Sequence, residues 1–561
     1  MYFRFAPRGG RSAIERDAQG DGVKIIHKAA VLAFLVCLAF AVASSSSAQT
    51  ASGIAPAGKC ADLVKLQIPG TQLVITKAEE IPSAPPNTIL LSPGLSPDKI
   101  PVAIPGYCRA DGTIDQRTGF DGKPYAIGFA IALPDNWNGR FLFQGGGGLN
   151  GSVNPPLGSA AAGDDPALAR GFTVVSTDTG HKGAVFDPSF MKDQIANLDF
   201  AYIAVGRVTV LAKEIIAHYY GQPAKHSYFA GCSTGGREAM LVSQRYPSYF
   251  DGVVSGDPAM NTGNSNIGLS WAMRAFADIA PKDDSGKPVP AKAFSSSDRK
   301  LLAAAILQAC DEKDGLKDGL IFNRRACEFD PAVLKCKGAK NDSCLSSDQV
   351  SALEKAFSGP KDSHGNQIYP RFPYDSDMVA EGPGYGLGLS FLPTAGPNIL
   401  GNVLPAASLT VDQQAADVRA DAGQILTDTW SWTNLSSFSG HGGKLLFYHG
   451  TSDPWFSPYD TLGYYERLDK ANGGADQVQT WSRFFLVPGM SHCAGGAATL
   501  DNFDLLTAVV DWVENGKAPD SVVAKGRSMP GVTRPLCAYP KYAHYKGQGD
   551  PHDASSFECR E

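Results

Sequence analysis

The chain has 561 residues, 43% of them hydrophobic, and a formal net charge of −6. At about 100–200 residues per domain, that length allows a large core plus a second unit. The mild acidic balance gives no reason to expect nucleic acid or an anionic membrane as a partner.

Residues 1–48 read as a secretory signal. Arg4, Arg8, Arg11, Arg16, Lys24 and Lys28 form a basic lead, Ala29 to Ala43 is unbroken apolar sequence, and Ser46-Ser47-Ala48 fits a small-x-small cleavage site. The apolar run falls short of the roughly 20 residues that span a bilayer. The expectation is a secreted or periplasmic protein with no membrane segment in its mature form. Of eleven cysteines, Cys37 lies in the signal. The other ten are an even set, which in an exported chain reads as disulfides. A zinc site would need close Cys-x-x-Cys pairs, and there are none.

Residues 49–120 are rich in Pro and Gly and resist assignment. From Lys123 a regular rhythm begins. Tyr125 to Leu133, Arg140 to Phe143 and Phe172 to Ser176 are strand candidates, and Asp199 to Tyr220 carries apolar residues at helical spacing until Gly221. Ser227 to Gly231 is a further strand, followed by a helix from Arg237 to Tyr246 that Pro247 ends. Strands are expected at Gly252–Gly256, Lys444–His449 and Arg483–Val487, and a late amphipathic helix at Asn502–Glu514. Short apolar strands alternating with helices imply an α/β fold with a mostly parallel sheet covered on both faces. Residues 259–440 break the rhythm with four cysteines and polar helices at Ser296–Gln308 and Ser346–Phe357. They read as an inserted lid dividing one catalytic domain into 49–258 and 441–561.

The most informative motif is Gly231-Cys232-Ser233-Thr234-Gly235-Gly236, with Ser491-His492-Cys493 far downstream. A Gly-x-Ser-x-Gly turn between strand and helix lifts a serine hydroxyl out of a tight bend. If Ser233 is a nucleophile and His492 its base, their neighbours Cys232 and Cys493 fall within disulfide range. The acid should follow in the order serine, acid, histidine. Asp453, in His449-Gly-Thr-Ser-Asp453 beyond a strand's carboxyl end, is the first choice and Asp460 the second. An oxyanion hole would draw on the amide of Thr234 and on Gln144-Gly-Gly-Gly-Gly148, where glycines let backbone approach a substrate. In the lid, Asp311, Asp314 and Asp318 are separated by turn-forming glycines, a pattern suited to a hard cation such as calcium and unlike an EF-hand.

These residues resemble the tannase and feruloyl esterase family of secreted α/β hydrolases, over essentially the whole mature chain. The resemblance implies the α/β-hydrolase fold, the triad Ser233, Asp453 and His492, and a Cys232–Cys493 disulfide. It implies Gly148 and Thr234 as oxyanion donors. It also implies structural calcium held by the side chains of Asp311, Asp314 and Asp318 and the carbonyls of Leu316 and Leu320. The other pairings it implies are Cys60–Cys108, Cys310–Cys327, Cys336–Cys344 and Cys537–Cys559. His449 and Phe456 match residues that lean over the substrate, with Trp455 and Phe456 as candidate walls of an apolar slot. The implied partner is a small aromatic ester, feruloyl or galloyl in type, cleaved through an acyl-enzyme. A relative that cleaves a terephthalate half-ester grips the free carboxylate with a lid arginine. Here Arg419 is the only arginine between Asp375 and Trp432, which puts phenolic esters ahead of half-esters. A calcium-stabilised carbohydrate-binding protein without catalysis is the remaining alternative.

Overall fold

The uninterrupted apolar runs after Lys123 become strands buried on both faces, as a parallel sheet flanked by helices requires. The structure, a computed structural model, describes residues 53–91, 98–375, 377–379 and 409–561. The expected signal at 1–48 lies outside the described residues. Nine strands form the main sheet: β1 (Leu73–Ile81), β2 (Tyr107–Thr118), β3 (Pro124–Pro134), β4 (Arg140–Gln144), β5 (Thr173–Thr177), β6 (His226–Cys232), β7 (Gly252–Gly256), β8 (Lys444–Gly450) and β9 (Ser482–Val487). Their order is β1-β2-β3-β5-β4-β6-β7-β8-β9. Pairing is antiparallel as far as β5 and parallel from β5 to β9. This is the mostly parallel α/β-hydrolase sheet.

The unassigned stretch before residue 120 holds β1 and β2. In β2 burial alternates along most of the strand, while β7 is buried throughout. An edge hairpin with one wet face carries no continuous apolar run, so its signal is weak beside that of the central strands.

Helix α1 (Gln194–Leu198) passes through a π turn (Asp199–Ile203) into α2 (Ala204–Tyr220), which ends at left-handed Gly221. It begins earlier than the spacing of apolar residues indicated because Asp193 caps it, accepting from Ala196 N at 2.9 Å. Helix α3 (Thr234–Arg245) follows β6 directly. Between β7 and β8 lie α4 (Thr262–Ala277), α5 (Ser296–Cys310), α6 (Ser347–Phe357), α7 (Val411–Ala420), α8 (Ala422–Thr427) and α9 (Ser436–Gly440). Capping boxes at Ser295, Ser346 and Thr410 start α5, α6 and α7, so these helices are encoded locally. The same segment packs a buried cluster of its own, with Phe276, Phe294, Leu302, Leu353, Phe357 and Tyr369 at its centre.

Helices α10 (Pro458–Ala471), α11 (Ala475–Val478) and α12 (Leu505–Asn515) complete the set. Apolar residues of α2, α3 and α10 cover one face of the sheet, and Leu505, Leu506, Val509 and Trp512 of α12 cover the other. The late helix starts at Leu505 rather than Asn502, because Asn502–Phe503 pairs as β10 against β11 (Ser521–Lys525) and Asp504 caps α12. Strand β12 (Thr533–Cys537) joins β11, while β13 (Tyr542–Tyr545) and β14 (Phe557–Arg560) form a terminal hairpin.

Five disulfides join Cys60–Cys108, Cys232–Cys493, Cys310–Cys327, Cys336–Cys344 and Cys537–Cys559. These are the pairs the family resemblance implied. No described helix is long and apolar enough to cross a membrane.

Candidate active site

Parallel strands present their carboxyl ends to one crevice, where loops can place chemistry. Ser233 follows β6, Asp453 follows β8, His492 follows β9 and the glycine loop follows β4. Ser233 has φ 63° and ψ −123°, outside the regions that L residues favour. The bend persists because its surroundings over-determine it. Ser233 N–H donates to Gly256 O at 3.0 Å, and Ser233 O accepts from Ala259 N at 3.0 Å. A Cβ on Gly231 would stand 2.5 Å from Gly235 O, and one on Gly235 would stand 2.7 Å from Gly146 O. The motif glycines are therefore demanded by contact between the elbow and the glycine loop.

Cys232 and Cys493 are disulfide-bonded with Cα atoms 5.9 Å apart, across 261 positions of sequence. His492 Nδ1 donates to Asp453 Oδ2 at 2.7 Å. Asp453 Oδ1 accepts the backbone N–H groups of Trp455 (2.8 Å) and Phe456 (3.1 Å), so the acid is fixed by its own turn. His492 Nε2 is shielded from solvent and makes no hydrogen bond, so it does not bond Ser233 Oγ here. A reactive pair in an enzyme without substrate is often looser than in the Michaelis complex. Burial pushes the Asp453 carboxyl up, but His492 and then His449 hold it well below the usual carboxylate range. Burial would lower the His492 imidazole, yet Asp453 outweighs it and raises the group above its ordinary value.

His449 is placed differently from the sequence expectation. It has no exposed surface and is absent from the cavity wall. Its Nδ1 bonds Thr461 Oγ1 at 2.8 Å, its Nε2 bonds Phe456 O at 2.9 Å, and Nε2 lies 3.4 Å from Asp453 Oδ2. The ring supports the acid from beneath because its position on β8 points it into the core rather than toward a substrate. Asp460 sits on α10 under Tyr369 and Trp430, where burial raises its carboxyl to about 7, and no bond joins it to His492.

Gly148 and Thr234 face each other across the elbow, the Thr234 hydroxyl donating to Gly148 O. The glycine loop is held from below by Glu238, a fully buried residue of α3 that the motif reading passed over. Its Oε2 accepts Gly146 N–H at 2.9 Å and its Oε1 accepts Asn150 Nδ2 at 2.7 Å. Asp257, just past β7, was also passed over. Its Oδ1 accepts Gly450 N–H at 2.9 Å and lies 3.6 Å from His449 Nε2, and its Oδ2 lies 3.4 Å from Cys232 Sγ. Burial raises its carboxyl to about 7. The only sequence hint of either is its position, two residues past the elbow glycines for Glu238 and after a strand's carboxyl end for Asp257. Among the described residues, two groups of potential metal ligands converge within 4.8 Å, Asp257–His449–Asp453 and Cys232–Asp257–Cys493. Both are committed to the contacts above.

A cleft opens to solvent at Ser233 and Thr234, its space and mouth together about 700 Å³. Its lining combines the apolar and aromatic side chains of Leu149, Met191, Phe200, Leu269, Trp455 and Phe456 with neutral polar ones, Thr262, Ser265 and Asn266 of α4 and Gln424 and Thr427 of α8. Trp455 and Phe456 also pack on the His492 ring, with centroids 4.8 and 5.3 Å away. Arg237 reaches the cavity, but it is 2% exposed and donates to Ala201 O (2.9 Å) and Phe200 O (3.1 Å).

A family profile described as tannase and feruloyl esterase matches residues 108–560. The chain is 39% identical to the mono(2-hydroxyethyl) terephthalate hydrolase of Piscinibacter sakaiensis over 518 residues, covering 82% of this chain and 85% of that protein. Among solved structures, feruloyl esterase B from Aspergillus oryzae superposes with a TM-score of 0.72 at 28% identity, covering 89% of this chain and 99% of that one. Tannin acyl hydrolase from Aspergillus niger shares the fold, with a TM-score of 0.67 at 21% identity over 87% and 92% of the two chains.

Proposed function

The chain belongs to the tannase and feruloyl esterase family and is a carboxylic ester hydrolase of that type, and on that premise we propose that it cleaves phenolic esters, feruloyl or galloyl in kind, through a serine acyl-enzyme. The observation that carries this reading is the His492–Asp453 hydrogen bond of 2.7 Å, on a histidine whose neighbour is bonded to the neighbour of Ser233. Ser233 Oγ attacks the ester carbonyl and passes its proton to His492 Nε2, while Asp453 steadies the imidazolium. The oxyanion is received by the N–H groups of Gly148 and Thr234, neither of which donates to another described residue. His492 returns its proton to the leaving alkoxide, then deprotonates the water that releases the acid.

The cavity favours a neutral phenolic ring over a terephthalate half-ester. A free carboxylate needs a cation, and the only one among the described lining residues, Arg237, is buried and bonded to backbone carbonyls. Residues 376–408 contain no Lys or Arg, and Arg419 of α7 is not in the wall. Hydroxyl and amide groups of α4 and α8 suit ring hydroxyls instead. Methyl ferulate, methyl gallate and a terephthalate half-ester, each with wild type and Ser233→Ala, test the reading. Turnover of the half-ester in preference to both phenolic esters would overturn the substrate class, and an active Ser233→Ala would overturn the mechanism.

The proposal includes export, an inserted lid over 259–440, and structural calcium at the loop after α5. Disulfides suit an oxidising compartment. In the loop, Asp311 and Asp314 are buried, and burial raises the Asp314 carboxyl to about 7, with the Asp318 charge adding to it. Clustered buried carboxylates and the carbonyls of Leu316 and Leu320 form an all-oxygen donor set, which a hard cation prefers. Asp318 also pairs with Arg534, and the nearest oxygens of the three acids do not all lie within 4.8 Å of one another. Bound calcium would neutralise this cluster and tie the loop to the Cys310–Cys327 disulfide.

A further inference from the structure

The segment between β7 and β8 reaches back to the two loops that carry the acid and the base. Tyr369 belongs to that segment's own buried cluster, and its hydroxyl oxygen accepts Ser457 N–H at 2.9 Å. Ser457 Oγ donates to Arg371 O at 2.6 Å. Thr451 Oγ1 donates to Asp375 Oδ2 at 2.5 Å, and that carboxylate oxygen lies 3.9 Å from Arg324 Nη1. Thr451 and Ser457 bracket the Asp453 turn, so Tyr369, Arg371 and Asp375 hold it at both ends.

The same stretch grips the loop that carries His492. Thr451 Oγ1, while donating to Asp375, accepts Gly489 N–H at 2.9 Å. Asp377 Oδ2 accepts Ala498 N–H at 3.0 Å. A Cβ on Gly496 would stand 2.8 Å from that oxygen and one on Gly489 3.5 Å, so the carboxylate lies against the loop on both sides of His492. The turn and the loop also meet directly, through Thr451 N–H to Val487 O and Ser452 N–H to Met490 O, each at 3.0 Å. Those bonds secure the two backbones only as far as Ser452 and Met490. The far ends, Ser457 and Ala498, are held by Tyr369, Arg371 and Asp377, and Asp453 and His492 lie in between. Asp375, Asp377, Thr451 and Ser457 are buried, where water cannot replace a lost partner.

We propose that Tyr369, Arg371, Asp375 and Asp377 are positioning residues, a strap through which the segment between β7 and β8 sets the Asp453–His492 pair. None of the four is among the described residues lining the cleft at Ser233. The proposal rests on the serine esterase reading for the meaning of its kinetics. Its consequence for His492 follows from the site itself. Burial disfavours the imidazolium and Asp453 favours it, so a loosened strap leaves burial the stronger influence and His492 titrates at lower pH.

The test compares Thr451→Val with Thr451→Ser in the full mature protein. Valine keeps the branched shape and loses the hydroxyl shared by Asp375 and Gly489, whereas serine keeps the hydroxyl. Two quantities are measured on folded protein: kcat and KM on methyl ferulate, and the titration of His492 by NMR of its ring proton, assigned by its loss in His492→Gln. Asp453, Asp257 and His449 face that ring, and neither substitution alters them. In Thr451→Val, kcat should fall about tenfold to 10²-fold with KM nearly constant, the cost of a misplaced catalytic group. His492 should titrate at lower pH in the same variant, and Thr451→Ser should restore both. Asp377→Ala, with Asp377→Asn as its conservative partner, should repeat the pattern, and it decides the question if Thr451→Val does not fold. A lower melting temperature with kcat and the His492 titration unchanged would overturn the proposal, as would a rise in KM alone. If wild type leaves methyl ferulate intact, the substrate reading fails and the His492 titration alone decides the strap.

Discussion

Cys232 and Cys493 bond the residue before Ser233 to the residue after His492, with their Cα atoms 5.9 Å apart. The link fixes the distance between two loops that no local interaction connects. Replacing both cysteines by serine should cost about 2–5 kcal/mol of stability. It should also lower kcat under conditions where both proteins are fully folded, because the base loses its tether to the nucleophile. Melting curves and kcat on methyl ferulate, read together, check this. Equal kcat in the two folded proteins would show that the disulfide serves stability alone.

Asp453→Asn keeps the shape of the turn but removes the charge that His492 Nδ1 faces at 2.7 Å. The expected loss in kcat is about 10⁴-fold with a small change in KM, as for an acid that sets the tautomer of its histidine. A loss below about tenfold would transfer the role to another acid, with Asp257 the nearest to the same network.

Glu238 touches no substrate-facing atom, yet it holds Gly146 and Asn150 on either side of Gly148. Glu238→Gln keeps one acceptor and places a donor against Asn150 or Gly146. A displaced oxyanion donor costs about 10²-fold in kcat. The prediction is a fall of that order with KM nearly constant and little change in melting temperature. If KM rises and kcat holds, the loop contributes to binding rather than to the transition state.

The pH profile follows from the raised His492 group. Only the neutral imidazole can accept the Ser233 proton, so kcat/KM should increase with pH as His492 deprotonates. Asp453 favours the imidazolium more than burial disfavours it, so the acid limb should lie above the ordinary imidazole value of about 6.5. An acid limb below that value would contradict the Asp453–His492 coupling.

Calcium, if held by Asp311, Asp314 and Asp318, should appear at one equivalent by elemental analysis after gentle purification. Its removal by a chelator should lower the melting temperature, and a hundredfold excess of calcium over its Kd should restore about 2.7 kcal/mol. A metal-free protein whose melting is indifferent to added calcium would leave the acidic loop as a plain hydrogen-bonded turn.

Much of this protein was readable one residue at a time. The central strands announce themselves as apolar runs because both their faces are buried, and α5 and α6 as polar helical segments, whereas α4 and α7 were not readable. The hairpin β1–β2 was not readable, since one wet face dilutes its apolar signal. The family resemblance made His449 a residue over the substrate, and its direction into the core depends on which face of β8 it occupies.

By itself, the sequence determined the elbow, the order serine–acid–histidine, the even cysteine set and the alternation of strands with helices. These depend on neighbours within a few residues, where φ/ψ limits, caps and apolar spacing act directly. Only the tertiary structure decided that His492 Nδ1 meets Asp453, that Glu238 grips the glycine loop and that Asp257 backs the disulfide. Each of these is a contact between strand ends or loops far apart in the chain. A buried polar group reveals its task only when the sheet has closed around it and its partners can be counted.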